Sequence, residues 1–158
     1  MNVYKRISQL GLELPKVPKP VASYVPAKIC NDLVFSSGQT GTIDGQLQYK
    51  GKVGREISIE EAQASARQSM LNCLAAIESV IGDLNRVEEV IKLTGYVASA
   101  EGFGQQPAVV EGASKLLLEI FGHNGQHARA AIGVAELPFG APVEVELVVR
   151  VGSVGSNS

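Results

Sequence analysis

Between Ile59 and Ile81 the apolar positions Ile59, Ala62, Ala66, Met70, Cys73, Leu74, Ile77 and Ile81 recur three and four apart, which predicts a long helix with one buried face. Ser58 and Glu61 form a capping box ahead of it, and Gly82 supplies the stop. A second helix opens near Pro107, a favoured first-turn residue. It buries Val109, Val110, Ala113, Leu116, Leu117, Ile120 and Phe121, and ends at Gly122.

Elsewhere the period is two. Residues 22–29 and 33–37, parted by Cys30-Asn31-Asp32, predict a hairpin. Residues 86–98 set Ile91, Leu93 and Val97 on one face and Lys92, Thr94 and Tyr96 on the other. Two strands, 128–136 and 143–151, close the chain. Near the start, residues 3–10 predict a short helix ended by Gly11. Pro15, Pro18 and Pro20 then forbid helix, so residues 1–21 read as an arm across the surface and 152–158 as a flexible Gly/Ser/Asn tail. The order ββ-α-β-α-ββ predicts an α+β sandwich, two long helices on one face of a mixed sheet.

Strand parity locates charge. In the last strand Val143, Val145, Leu147, Val149 and Val151 can meet the helices, while Glu144, Glu146 and Arg150 point away. In the strand before it, Arg129 shares a face with Ala131, Gly133 and Ala135, a recess where a guanidinium fork could grip a carboxylate. Two helices cannot cover both faces, so the second face, carrying Glu144 and with it Arg129, is either solvated or buried against another subunit. From spacing alone, Arg129 and Glu144 read as an ion pair within or between chains.

The 158 residues make one domain, residues 1–151. Hydrophobic residues make up 45% and aromatic ones only 5%, with no Trp, so Ala, Val, Leu and Ile must build the core. Fourteen Lys+Arg against sixteen Asp+Glu give a net charge of −2, which argues against a nucleic-acid partner. No apolar run approaches membrane-span length, and Lys5 and Arg6 precede no signal-like apolar core, so the expectation is a cytoplasmic protein. Cys30 and Cys73 read as buried, reduced thiols. His123 and His127 are four apart but flank glycine-broken chain without an HExxH pattern, so no metal is expected. The glycines from Gly38 to Gly54 lack the Lys-Ser/Thr pair of a phosphate loop and read as turns.

The run Ala128-Arg129-Ala130-Ala131-Ile132-Gly133-Val134-Ala135-Glu136-Leu137-Pro138, continuing to Val143-Glu144-Val145, resembles the C-terminal signature of the RidA/YjgF family of reactive-intermediate deaminases. Ala22-Ser23-Tyr24-Val25 and Phe35-Ser36-Ser37-Gly38-Gln39 are similar to the family's early tyrosine and its Ser-Gly-Gln strand end. The proline-rich arm, the Gly51-Lys52-Val53-Gly54 loop and the Gly125–Arg129 approach resemble a longer YjgF-like subgroup of unsettled activity.

The resemblance implies a chorismate-mutase-like fold, a homotrimer with clefts between subunits, and cofactor-independent hydrolysis of 2-imino or enamine acids to a 2-keto acid and ammonia. Arg129 then matches the substrate-carboxylate arginine, Glu144 the water-positioning acid and Tyr24 the cleft tyrosine, with Ser37, Gly38, Gln39 and Glu111 bordering the substrate. The chain differs from the pattern at Ala131, where deaminating members often carry cysteine or a polar residue, and at His127, Val145 and Glu111. A non-catalytic protein that binds a small carboxylate is the alternative. An endoribonuclease or translation inhibitor stands further off, for want of aromatics and a histidine acid–base pair.

Overall fold

The computed structural model describes residues 2–17 and 22–152. The tail at 153–158 and the prolines at 18 and 20 lie outside the described residues. The chain runs α1 (Val3–Gln9), β1 (Ala27–Cys30), β2 (Leu33–Ser36), β3 (Gln39–Thr40), β4 (Thr42–Ile43), β5 (Gln46–Leu47), α2 (Ile59–Ile81), β6 (Val87–Ala98), α3 (Gln106–Phe121), β7 (Ala128–Val134) and β8 (Val143–Val151). The main sheet has the order β1-β2-β8-β6-β7, with β3 pairing the other end of β8, while β4 and β5 form a small separate ribbon. β6 and β7 are parallel, joined through α3, and the remaining pairs in the main sheet are antiparallel. The fold is the expected α+β sandwich with a mixed sheet.

The helices end where the sequence says they should. Ser58 Oγ accepts from the Glu61 amide while the Glu61 carboxylate accepts from the Ser58 amide, and Gly82 leaves α2 in the left-handed region at φ 85°. α1 is capped by Asn2, whose side chain accepts from Lys5 N, and Gly11 follows at φ 73°. Three polar contacts dock α1 against the helical layer. Val3 N donates to Asn85 Oδ1 at 2.8 Å, Arg6 Nε to the Glu119 carbonyl at 2.8 Å, and Tyr4 Oη to Glu78 Oε2 at 2.6 Å.

Some strand boundaries move. β1 begins at Ala27 rather than residue 22, because Pro26 has no N–H to enter a ladder and residues 22–25 run unpaired. β7 stops at Val134, two residues early. In β6, Val90 rather than Ile91 takes the buried position. Val90 pairs Val149 while Lys92 pairs Val148, so Ile91 is the extra residue of a bulge that resets the alternation.

The core confirms the low-aromatic reading: among the described residues Phe121 is the one buried aromatic, and aliphatics fill the rest. Small residues permit very close packing. A Cβ on Gly112 of α3 would lie 2.2 Å from the Gln63 carbonyl oxygen of α2, and one on Gly95 of β6 would lie 2.5 Å from Val110. Cys73 is buried as expected, and burial pushes its thiol up to about 12. Cys30 corrects the expectation: on the first strand of the sheet, it is exposed. Among the described residues, no helix is long and apolar enough to cross a membrane.

Candidate active site

β7 and β8 flank β6, and their registers decide where the charged side chains go. Leu93 of β6, fully buried under the helices, pairs with Leu147 on one side and Arg129 on the other. Arg129 therefore leaves the sheet on the helix side. Tyr96 pairs with Glu144 and lies on the opposite face. The parity within each strand is as expected, but Arg129 does not join Glu144 on the second face. With two strand spacings between them and three residues along β6, their Cα atoms stand about 14 Å apart.

Arg129 is held by α3. Nη1 donates to Ser114 Oγ at 3.2 Å, and Nη2 donates to the Pro107 carbonyl at 3.3 Å. Glu111, one helical turn before Ser114, comes within 3.5 Å of Nη1. Arg129's ion pair within the chain is thus with Glu111, not Glu144. Rather than standing among tiny side chains alone, the guanidinium rests on a polar helix face. Beside it opens a cavity of about 280 Å³ lined by Ser114, Leu118, Gln126, His127 and Arg129. Sequence reasoning missed Ser114, although its i, i+3 spacing from Glu111 was a usable signal.

Glu144 belongs to a second cluster. It pairs with Thr40, and its carboxyl group lies across Gly38, where a Cβ would come within 3.0 Å of the Glu144 carboxyl carbon. Gly38 leaves the space that this side chain occupies. Gln39 pairs with Val145 next door. Ser37 is spent on structure: its Oγ donates to the Val25 carbonyl at 2.6 Å and its amide to the Pro26 carbonyl at 2.8 Å. Those bonds pin the segment carrying Tyr24, which is 52% exposed. Ser37, Gly38, Gln39, Glu144 and the Tyr24 segment come together, while Arg129 and Glu111 meet elsewhere.

Burial, and then the neighbouring Glu146 charge, raises the Glu144 carboxyl above its ordinary value. Tyr96 donates to Glu146 Oε1 at 2.9 Å, and that bond, with burial, raises the tyrosine too. The second sheet face also exposes Phe35 and Ile132 and holds a cavity of about 290 Å³ that Phe35, Lys92, Thr94 and Glu146 help to line.

The family model described as "YjgF/chorismate_mutase-like, putative endoribonuclease" matches residues 4–150. The chain belongs to this family. It is 38% identical over 154 residues to Protein TCP17 of Trypanosoma cruzi, covering 96% of each chain. It is 26% identical to a 2-iminobutanoate/2-iminopropanoate deaminase of Dermatophagoides farinae, covering 87% of this chain and 93% of that one. Among solved structures, protein Atu1372 of Agrobacterium tumefaciens, of unknown function, superposes with a TM-score of 0.89 at 39% identity, over 95% of this chain and 92% of that one. A "putative endoribonuclease" from Shewanella oneidensis gives 0.92 at 30% identity, over 96% and 100%.

Proposed function

We propose that this protein is a cofactor-independent hydrolase of small 2-imino or enamine acids, with each active site assembled from Arg129 of one subunit and Glu144 of another in a homotrimer. The observation that carries the reading is the division of the two clusters: an arginine with open donor positions on one face, a half-buried carboxylate with a raised pKa on the other. Neither cluster can hydrolyse an imino acid alone. The relative named as a 2-iminobutanoate/2-iminopropanoate deaminase supports the reaction class.

The chemistry needs little beyond placement. Arg129 binds the substrate carboxylate and presents C2, already electrophilic as an iminium carbon, to a water held by Glu144. Glu144 takes a proton as the water oxygen bonds to C2, and the C=N π electrons move to the iminium nitrogen, which becomes a neutral amine. The proton on Glu144 then serves departure of ammonia, the C–N bond breaks, and the hydroxyl proton leaves to give the 2-keto acid. A carboxyl raised toward neutrality is a better base than an ordinary glutamate. Phe35 and Ile132, exposed on the second sheet face, provide apolar surface for a neighbouring subunit.

The test generates a 2-imino acid in situ from an amino acid and an oxidase, and follows keto-acid and ammonia release. Wild type accelerates the hydrolysis. Arg129→Ala abolishes it, and Arg129→Lys, which loses the planar fork, lowers kcat/KM by about 10–100-fold. No acceleration by wild type defeats the proposal. Binding of a keto acid without turnover would favour the alternative of a small-carboxylate-binding protein, for which the standing Arg129–Glu111 contact is the supporting observation.

A further inference from the structure

Behind Arg129 stands a chain of hydrogen bonds with a fixed direction. His127 Nδ1 lies 2.6 Å from the Gly125 carbonyl, which can only accept, so Nδ1 carries the proton. In the neutral ring Nε2 is then an acceptor, and it lies 2.9 Å from Ser114 Oγ. The Ser114 hydroxyl thus donates to His127 and turns its lone pairs to Arg129 Nη1. Ser114 is 5% exposed, so this hydroxyl has little access to water as a substitute partner.

The relay competes with Glu111 for the same Nη1. A relaxed arginine–carboxylate contact closes to about 2.7–2.9 Å and tends to become bidentate. Here it stands open at 3.5 Å, while Ser114 and the Pro107 carbonyl, on the same helix as Glu111, hold Nη1 and Nη2 in hydrogen bonds of their own. Of the five guanidinium donors, those two bonds use two, and the Nε edge has no partner among the described residues.

We propose that the Gly125–His127–Ser114 relay is a positioning device that keeps Arg129 from collapsing onto Glu111 and so leaves its fork free for a ligand carboxylate. His127 and Ser114 are positioning residues: they act through Arg129 and touch no reacting atom. This deepens the preceding reading of the site, on which its ligand class rests.

The test uses pyruvate as a non-reacting carboxylate probe, titrated by calorimetry into wild type and four variants. Ser114→Ala weakens pyruvate binding roughly tenfold, the scale of a lost bond to a charged group. Ser114→Thr, which keeps the hydroxyl, retains most of the affinity, and His127→Ala falls between them. Adding Glu111→Gln to Ser114→Ala restores binding, because the competing carboxylate is gone. Wild-type affinity in Ser114→Ala, or no rescue by Glu111→Gln, overturns the proposal. A second readout needs no ligand: Glu111→Gln shifts the Arg129 Nε–H resonance strongly in the Ser114→Ala background and weakly in wild type. Equal shifts in both backgrounds overturn the relay. If wild type binds no pyruvate, the ligand reading fails, and the resonance comparison still decides the relay.

Discussion

Arg129 and Glu144 leave opposite faces of the same sheet, separated by the single strand that carries both Leu93 and Tyr96. Leu93 turns its partner Arg129 toward α3, and Tyr96 turns its partner Glu144 toward the open face. A side chain cannot cross a hydrogen-bonded sheet, so no rotamer change brings these two groups onto one small ligand within a chain.

Glu144→Gln separates function from stability. Because burial raises this carboxyl, the folded protein holds the proton more tightly than the unfolded chain. The energetic cost of the buried carboxylate is absent below the ordinary glutamate pKa and grows as pH rises through the raised one. Glutamine removes that cost. The variant is more stable than wild type at neutral pH, and the gap in urea denaturation closes toward about pH 4. The imino-acid hydrolysis assay shows a loss of about 100-fold or more, the range for removing a general base.

Tyr4 fastens α1. Its hydroxyl donates to Glu78 and accepts from the Leu84 amide at 2.9 Å, and burial with the Glu78 bond pushes it up to about 12 from an ordinary 10.0. A raised pKa means that the stabilisation is complete below the unfolded value and lost as pH climbs through the folded one. Tyr4→Phe costs about 1–2 kcal/mol below pH 10, and the difference from wild type disappears by about pH 12. Denaturant melts at stepped alkaline pH read this out.

Gly112→Ala replaces a helix-weakening glycine with the best helix former, yet it destabilises. The new Cβ would press on the Gln63 carbonyl at 2.2 Å, so α2 and α3 must part. Overpacking of this kind costs about 1–3 kcal/mol, which outweighs the propensity gain of up to about 1 kcal/mol. Thermal unfolding records a fall of a few degrees. Because Gly112 lies between Glu111 and Ser114 on the same helix, pyruvate affinity drops with it.

The sequence made α2 legible to the residue, because Ser58, Glu61 and Gly82 are local signals whose partners lie within one turn. Alternation in β7 and β8 was equally plain. What it could not show was the face to which Arg129's parity belongs, since that depends on pairing with Leu93, thirty-six positions away. The bulge at Ile91 escaped for the same reason: one extra residue in a ladder is set by the partner strand. Cys30 looked apolar by type but sits on the first strand of the sheet, where burial is not supplied. Of the candidate site, the residue types were legible; their division into two clusters was not.

The most direct test mixes two crippled chains. Arg129→Ala keeps Glu144, and Glu144→Gln keeps Arg129; each alone is inactive in imino-acid hydrolysis. If sites form between subunits, co-refolding the two in equal amounts gives trimers in which about a quarter of the sites pair an intact Arg129 with an intact Glu144. The account predicts recovery of about a quarter of wild-type activity after co-refolding, and none on simple mixing of folded oligomers that do not exchange. Co-refolded mixtures that stay as inactive as their parents, beside an active wild type, would contradict it.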